Sequence, residues 1–270
     1  MNRAIRPTIR KFEPHKLAMK KSLIFILAFF CITPLWAQLS LTAESGLVFN
    51  TYNDVRVPNA PDNQGSLFSL TDDFTPELPG PFLRFEAAYL IKDKHTVELQ
   101  AVPLAVNYNS FTGDSVAFAG TTFRGDGITG RYEFNTYRAS YRYRFVDRVQ
   151  FKLDAGATVL IRDARIAVAQ NGIEAEDTDL GFVPLLSVYM QYWPAPKFAL
   201  ILKGDAIAGS PQGRAEDVFV GALVGIYQND LWLKAGYRIV EGGANVDQVY
   251  NFALVQFFDV GLTYMFNKGN

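Results

Sequence analysis

Residues 149–161 read VQFKLDAGATVLI. The odd positions are Val149, Phe151, Leu153, Ala155, Ala157, Val159 and Ile161; the even ones are Gln150, Lys152, Asp154, Gly156, Thr158 and Leu160. Successive side chains of an extended chain point to opposite faces, so this segment is a strand with one apolar and one polar face. Helical spacing would carry Lys152 and Asp154 into the apolar stripe, so a helix fits badly.

The same period of two recurs along the chain. Leu83, Phe85, Ala87, Tyr89 and Ile91 oppose Arg84 and Glu86, and Val97, Leu99, Ala101, Pro103 and Ala105 oppose Thr96, Glu98 and Gln100. Tyr137, Ala139, Tyr141, Tyr143 and Phe145 oppose Arg138, Ser140, Arg142 and Arg144. Segments 197–208, 217–227, 231–240 and 252–266 alternate likewise, and 39–50 and 180–193 do so less cleanly. The expected total is ten strands, with eight as the other count the pattern allows. Short turns fall at Lys92–His95, Asp147–Arg148, Pro194–Pro196 and Asn229–Asp230. Longer polar stretches fall at 51–79, 107–130, 163–179, 209–216 and 241–250. An even number of strands with short connections on one side and long ones on the other is the layout of a transmembrane, antiparallel, up-and-down β-barrel. A soluble β-sandwich would also alternate, but its loop lengths need not. Outward aromatic residues near the short turns (Tyr89, Tyr143, Phe145, Phe151, Tyr192, Phe198, Tyr264 and Phe266) favour the barrel, because amphipathic rings settle at a membrane interface.

Composition agrees. Of 270 residues, 49% are hydrophobic, 14% aromatic and 20% charged, too much apolar content for a disordered chain. The longest apolar run, 22–32, is too short for a membrane-crossing helix. Residues 19–38, MKKSLIFILAFFCITPLWAQ, have a basic start, an apolar core and a polar, Pro-marked end, which is the form of a secretory signal peptide, with cleavage expected after Ala37 although Leu35 is large for its position. Residues 1–37 are thus expected to be removed, with 1–18 read as an over-extended start and 38–270 as the barrel. Seven bases and one acid lie in 1–37, leaving 19 basic and 26 acidic residues and a net charge of −7 in the rest. That remainder has no cysteine and one histidine, His95, so disulfides and zinc sites are not expected. Its negative charge argues against nucleic acid.

The signal peptide, the alternating strands and the aromatic-ended last strand (Phe258, Val260, Leu262, Tyr264, Phe266) together resemble the small outer-membrane β-barrel family of Gram-negative bacteria. The resemblance covers about residues 38–266 and is one of pattern, specific for architecture. It implies a location in the cell outer membrane, contact with outer-membrane lipid and lipopolysaccharide, and insertion by the outer-membrane assembly machinery; a monomer is expected. The catalytic barrels of that kind draw on a histidine, and here the one candidate, His95, falls in a short turn beside Lys94. No Gly-x-Ser-x-Gly elbow is present, so the expectation is no enzyme, no catalytic or metal residues and no cofactor.

The polar face, read as lumen, holds Arg84, Glu86, Glu98, Arg138, Arg142, Arg144, Lys152, Asp154, Arg162, Lys203, Asp205, Lys234, Arg238 and Asp259. Nine bases face five acids. One reading pairs these charges across a filled interior, since an unpaired ion away from water is costly; the other makes a narrow anion conduit. Asp205, Arg214, Arg238 and Glu241, with Lys203 and Lys234, form a candidate polar cluster at the lumen mouth, or a salt-bridged latch between two loops. The run Glu174, Glu176, Asp177, Asp179 is an acidic loop that could hold a divalent cation but lacks the spacing of a calcium loop. Leu67, Phe68, Leu70, Phe74 and Leu78 in the stretch 51–79 either fold over the rim or plug the mouth. The function expected is a structural or interaction barrel with a charge-paired lumen and acidic outer loops; the alternative is a narrow channel or transporter for small solutes or hydrophobic molecules.

Overall fold

The computed structural model describes residues 37–210, 213–227 and 230–266; the expected signal peptide and the last four residues lie outside them. Ten long strands carry the fold: β1 (Ala37–Arg56), β2 (Gly80–Ile91), β3 (His95–Val102, resumed at Ala105–Asn109), β4 (Thr129–Asp147), β5 (Phe151–Gln170), β6 (Ile173–Ala195), β7 (Phe198–Ser210), β8 (Gly213–Tyr227), β9 (Leu231–Asn245) and β10 (Tyr250–Phe266). The break in β3 falls at Pro103, which has no N–H to give to a ladder. Each strand pairs with its neighbours in sequence. β10 pairs β1 from Leu39↔Phe266 to Arg56↔Tyr250, which closes the ring. No helix occurs among the described residues.

The exterior carries the apolar set. Leu83, Phe85, Leu99, Val159, Val220, Phe258, Val260 and Leu262 all point outward and are exposed. On β10 this belt runs from Phe258 to Phe266, nine residues, which is the length of a tilted strand crossing a bilayer core. Paired rings mark its lower edge, with Tyr143 against Phe145 at 5.1 Å and Tyr264 against Phe266 at 4.7 Å. Near its upper edge Phe258 packs on Phe49 at 5.7 Å and Tyr237 at 5.2 Å. The chain is a transmembrane barrel.

Three stretches expected as long loops are largely strand. β5 and β6 stay paired up to Gln170↔Ile173, so 163–179 is a tall hairpin with a tight turn at Asn171–Gly172, both at positive φ. β7 and β8 pair up to Ser210↔Gly213, and β9 and β10 up to Asn245↔Tyr250. Only the connections β1–β2 and β3–β4 are extended loops, and these knit together. Ser66 N–H donates to the carbonyl of Ala117 at 2.8 Å, Ala119 N–H to Val57 at 2.9 Å, and Thr112 N–H to Asp73 at 2.8 Å. Their apolar residues turn inward. Phe68, Leu70, Phe74, Val116, Phe118, Phe123 and Ile128 form one buried cluster with lumen-facing Val48, Val106, Tyr108, Ile166 and Phe257. Phe68, Leu70 and Phe74 therefore plug the outer end; Leu67 stays exposed.

The wall is incomplete at one place. β6 and β7 pair from Ala195↔Phe198 to Leu186↔Ala206 and no further. β6 continues upward on β5 and β7 on β8, and among the described residues no pair joins 182–185 to β7 from Ile207 upward. Pro184 sits in this unpaired stretch. A proline is tolerated in a strand where one side of the backbone needs no donor.

Candidate functional site

The inward residues of single strands already give the lumen its layers. From the short-turn end, β7 presents Ala199 and Ile201, then Lys203 and Asp205, then Ile207; β9 presents Trp232, then Lys234 and Arg238, then Val240. The lowest layer is an apolar cluster of Ala199, Ile201, Phe219, Leu223 and Trp232, with Trp193 edge-on to Trp232 at 5.5 Å. The uppermost is the loop-filled core. Between them lies a layer of ions.

That middle layer has seven bases and seven acids. Glu44 accepts from Arg84 at 3.2 Å and from Lys234, with Arg238 3.8 Å away. Asp259 accepts from Arg84 at 2.7 Å and Arg238 at 3.2 Å. Asp217 joins Arg238 at 2.8 Å to Arg138 at 2.5 Å, and Arg138 reaches Asp205 at 3.2 Å. A second group links Lys203 to Glu86 at 2.7 Å and Glu98 at 2.5 Å, and Glu98 to Arg142. Arg144 and Asp154 pair at 2.8 Å. Hydroxyls fill remaining valences: Thr158 donates to Asp205 at 3.1 Å, and Arg142 donates to Ser187 at 3.2 Å. Phe219 supports the bases from below, with Lys234 4.8 Å and Arg238 5.0 Å from its ring centre. The ring lies flat on the wall because Gly221 and Gly236, paired across β8 and β9, leave it space; a Cβ on either would come within 2.6 Å of ring atoms.

The expected excess of bases in the lumen is corrected by two carboxylates the pattern passed over, Glu44 and Asp217, both buried in the network. It is corrected again by two bases at its margins. Lys152 lies 3.9 Å from Asp147 at the short-turn end, and Arg162 pairs with Asp179 above the layer. Glu44 was legible as the partner of Thr42 on the polar face of 39–50, and Asp217 as the residue two before Phe219.

The six residues proposed as a mouth cluster divide. Asp205, Arg238, Lys203 and Lys234 belong to the buried layer. Arg214 and Glu241 stand on the outer wall, where Arg214 Nε donates to Glu241 at 2.8 Å, Tyr52 Oη donates to the same carboxylate at 2.7 Å, and Arg214 covers Phe252 at 4.8 Å. The Tyr52 hydrogen bond and then Arg214 hold the Glu241 carboxyl below the ordinary range. The four acids at 174–179 are likewise parted, because a strand turns alternate residues apart. Glu174 and Glu176 face out onto Arg165, each at 2.6 Å, while Asp179 faces in toward Arg162. No group of three metal-binding side chains converges among the described residues. His95, at the start of β3, meets Tyr141 Oη through Nδ1 at 2.8 Å, at the short-turn end.

Above the ionic layer a cavity of about 430 Å³ opens between β5, β6, β8 and β9. Leu160, Val183, Leu185, Ile207 and Val240 give it apolar walls, and Arg162, Asp177 and Asp179 line one side. Gly181, opposite Arg162 in register, leaves the guanidinium room: a Cβ there would lie 3.2 Å from Nη2. Asp177 has no hydrogen-bond or ion-pair partner among the described residues, and burial, then Asp179, push its carboxyl up.

No family model and no curated protein matches the chain. Solved structures to which it is similar include the outer membrane protease OmpT of Escherichia coli, at 10% identity over 87% of this chain and 99% of that one, TM-score 0.48. The β domain of the Bordetella autotransporter BrkA follows at 12% over 85% and 99%, TM-score 0.46. The attachment invasion locus protein Ail of Yersinia pestis, in complex with the heparin analogue sucrose octasulfate, is at 11% over 86% and 100%, TM-score 0.39. The barrel itself rests on the strand register given above.

Proposed function

We propose that this chain is an integral outer-membrane barrel, neither enzyme nor pore, whose sealed interior holds a rigid loop dome and outer wall for contact with lipid, lipopolysaccharide or an outside partner. The observation that carries the reading is the neutral ionic layer, closed between two apolar layers. Arg84 and Arg238 at its centre are each 1% exposed, and interiors packed to this degree leave no continuous column of water. Barrels of eight to ten strands have lumens that side chains can fill. Seven bases matched by seven acids also remove the basic excess on which an anion conduit would depend. A catalytic role has no support from His95, which sits at the opposite end from the loop dome. The reading includes a monomer that binds no nucleic acid, with β10 as the strand presented to the assembly machinery.

Single-channel recording in a planar bilayer is the test. The purified protein should add no step conductance in concentrated potassium chloride, and discrete anion-selective openings would overturn the reading. Fractionation with heat-modifiable gel migration tests the location; a soluble protein would sink it.

A further inference from the structure

We propose that the gap between β6 and β7 is the entrance to a binding site for a single-chain alkylammonium amphiphile taken from the lipid phase, its ammonium on Asp177 and its chain in the gap. This goes beyond the sealed-barrel reading and stands apart from it, since it concerns the wall and not the ionic layer.

Three independent observations meet there. First, the β6–β7 register ends at Leu186↔Ala206, inside the apolar belt, and Pro184 removes a donor from the unpaired edge. In hydrocarbon an open strand edge is costly and persists only where something else covers it or the site holds water. Secondly, the outward residues beside the gap are among the most exposed apolar side chains of the barrel: Leu180 at 64%, Phe182 at 67% and Leu186 at 73%. An aliphatic chain entering from the bilayer meets apolar surface all the way to the cavity, which Phe182 and Ile207 also line. The cavity, about 430 Å³, has the size and mainly apolar lining of a small-ligand site.

Thirdly, the charges choose the head group. Every base that lines the cavity is already held by a carboxylate: Arg138 by Asp217 and Asp205, Arg162 by Asp179, Arg214 by Glu241. Two lining acids, Asp177 and Glu216, have no cation among the described residues. An anionic head would have to break an ion pair or share a guanidinium already neutralised by a carboxylate, through N–H groups left unbonded such as Nε of Arg162 and Arg138. A cationic head meets an open carboxylate, and hydrogen bonds to charged groups are the stronger kind.

The probe is dodecylammonium with a photoreactive diazirine at its chain end, applied to the full-length folded protein in non-ionic micelles, with labelled residues mapped by mass spectrometry. Label should concentrate on 180–186 and around Ile207. Excess unlabelled dodecylammonium should displace it, and dodecyl sulfate should not. Asp177→Asn should cut labelling about tenfold, the factor for losing one charged hydrogen bond, while Asp62→Asn in the exposed loop leaves it unchanged. Leu185→Trp, which fills the cavity without touching a charge, should also abolish it. Heat-modifiable migration confirms that each variant is folded; should Asp177→Asn not fold, the competition on the wild-type protein decides. Label spread evenly over the belt, equal displacement by the sulfate, or undiminished labelling of folded Asp177→Asn would each overturn the proposal.

Discussion

Replacing Glu44 by glutamine keeps the shape of the side chain and removes one charge from the centre of the ionic layer. Arg84 would retain Asp259 at 2.7 Å, and Arg238 would retain Asp217 at 2.8 Å and Asp259 at 3.2 Å. Lys234 would retain no carboxylate, because Glu44 is its one ion-pair partner among the described residues; the Phe219 face at 4.8 Å is what remains. The layer would pass from seven against seven to seven bases against six acids. Leaving one buried ion uncompensated costs about 3–5 kcal/mol, and the urea dependence of unfolding is about 1–3 kcal/mol per molar, so the midpoint should fall by about 1–5 M. The double variant Glu44→Gln with Lys234→Met has six of each sign and leaves no ion stranded, and should recover most of the loss, with a coupling of about 2 kcal/mol or more. Urea titration followed by the heat-modifiable gel shift measures all members of the cycle. A single variant within about 0.5 kcal/mol of wild type, or a coupling near zero, would refute the reasoning, since it would mean that water reaches Lys234.

Other expectations follow from local geometry. Gly236→Val should cost about 1–3 kcal/mol by overpacking against the Phe219 ring, measured by the same titration, whereas Gly120→Val in the β3–β4 loop meets nothing within 4 Å and should cost only its positive-φ strain. Asp177 has its folded-state pKa raised, so its charged form weakens the fold; Asp177→Asn should stabilise the barrel near pH 8, and the gain should vanish as pH falls below the carboxylate range. Glu241 is shifted the other way, so Glu241→Gln should destabilise above about pH 4.5 by a few tenths of a kcal/mol, the pair being largely solvated, and the difference should disappear as pH falls through the lowered value. Pro184→Val restores an N–H at the wall gap; slower amide exchange at 182–186 and 206–207 than in the parent is expected, and unchanged exchange would show that the proline does not limit the pairing.

The architecture was readable where lipid and lumen enforce opposite chemistry. In Val149–Ile161 or Phe258–Phe266 every second residue must be apolar, and the period of two is unmistakable. Above the membrane the outer face meets water and the inner face packs under the loop dome, so Asp163, Arg165, Glu174 and Glu176 turn outward and Ile166, Val168 and Ala175 inward; this inverts the alternation of the belt, and a tall hairpin reads as loop. Glu44 was passed over because Ser45 and Gly46 blur the alternation around it, and Asp217 because it stands where β8 leaves the apolar belt. Those two omissions were enough to make a neutral layer look basic. The inward turn of Phe68, Leu70 and Phe74 depends on two distant loops meeting, which no local pattern encodes. The opening beside Pro184 is a matter of register, and the sequence marks it only by that proline.

Glu44 stands on the first strand and Asp259 on the last, and their partners Arg84, Lys234 and Arg238 stand on the strands flanking the seam. Bonds that cross it span 175 and 190 residues of chain. Until the two ends of the polypeptide meet, each of these five ions lacks at least one of its partners, and an unsealed sheet would carry them into the bilayer at a cost of several kcal/mol each. Closing the ring and neutralising the interior are thus a single event. A barrel so wired has little reason to linger half zipped: partly inserted forms are penalised electrostatically as well as by their open edges, and the completed cylinder would resist unravelling from either terminus.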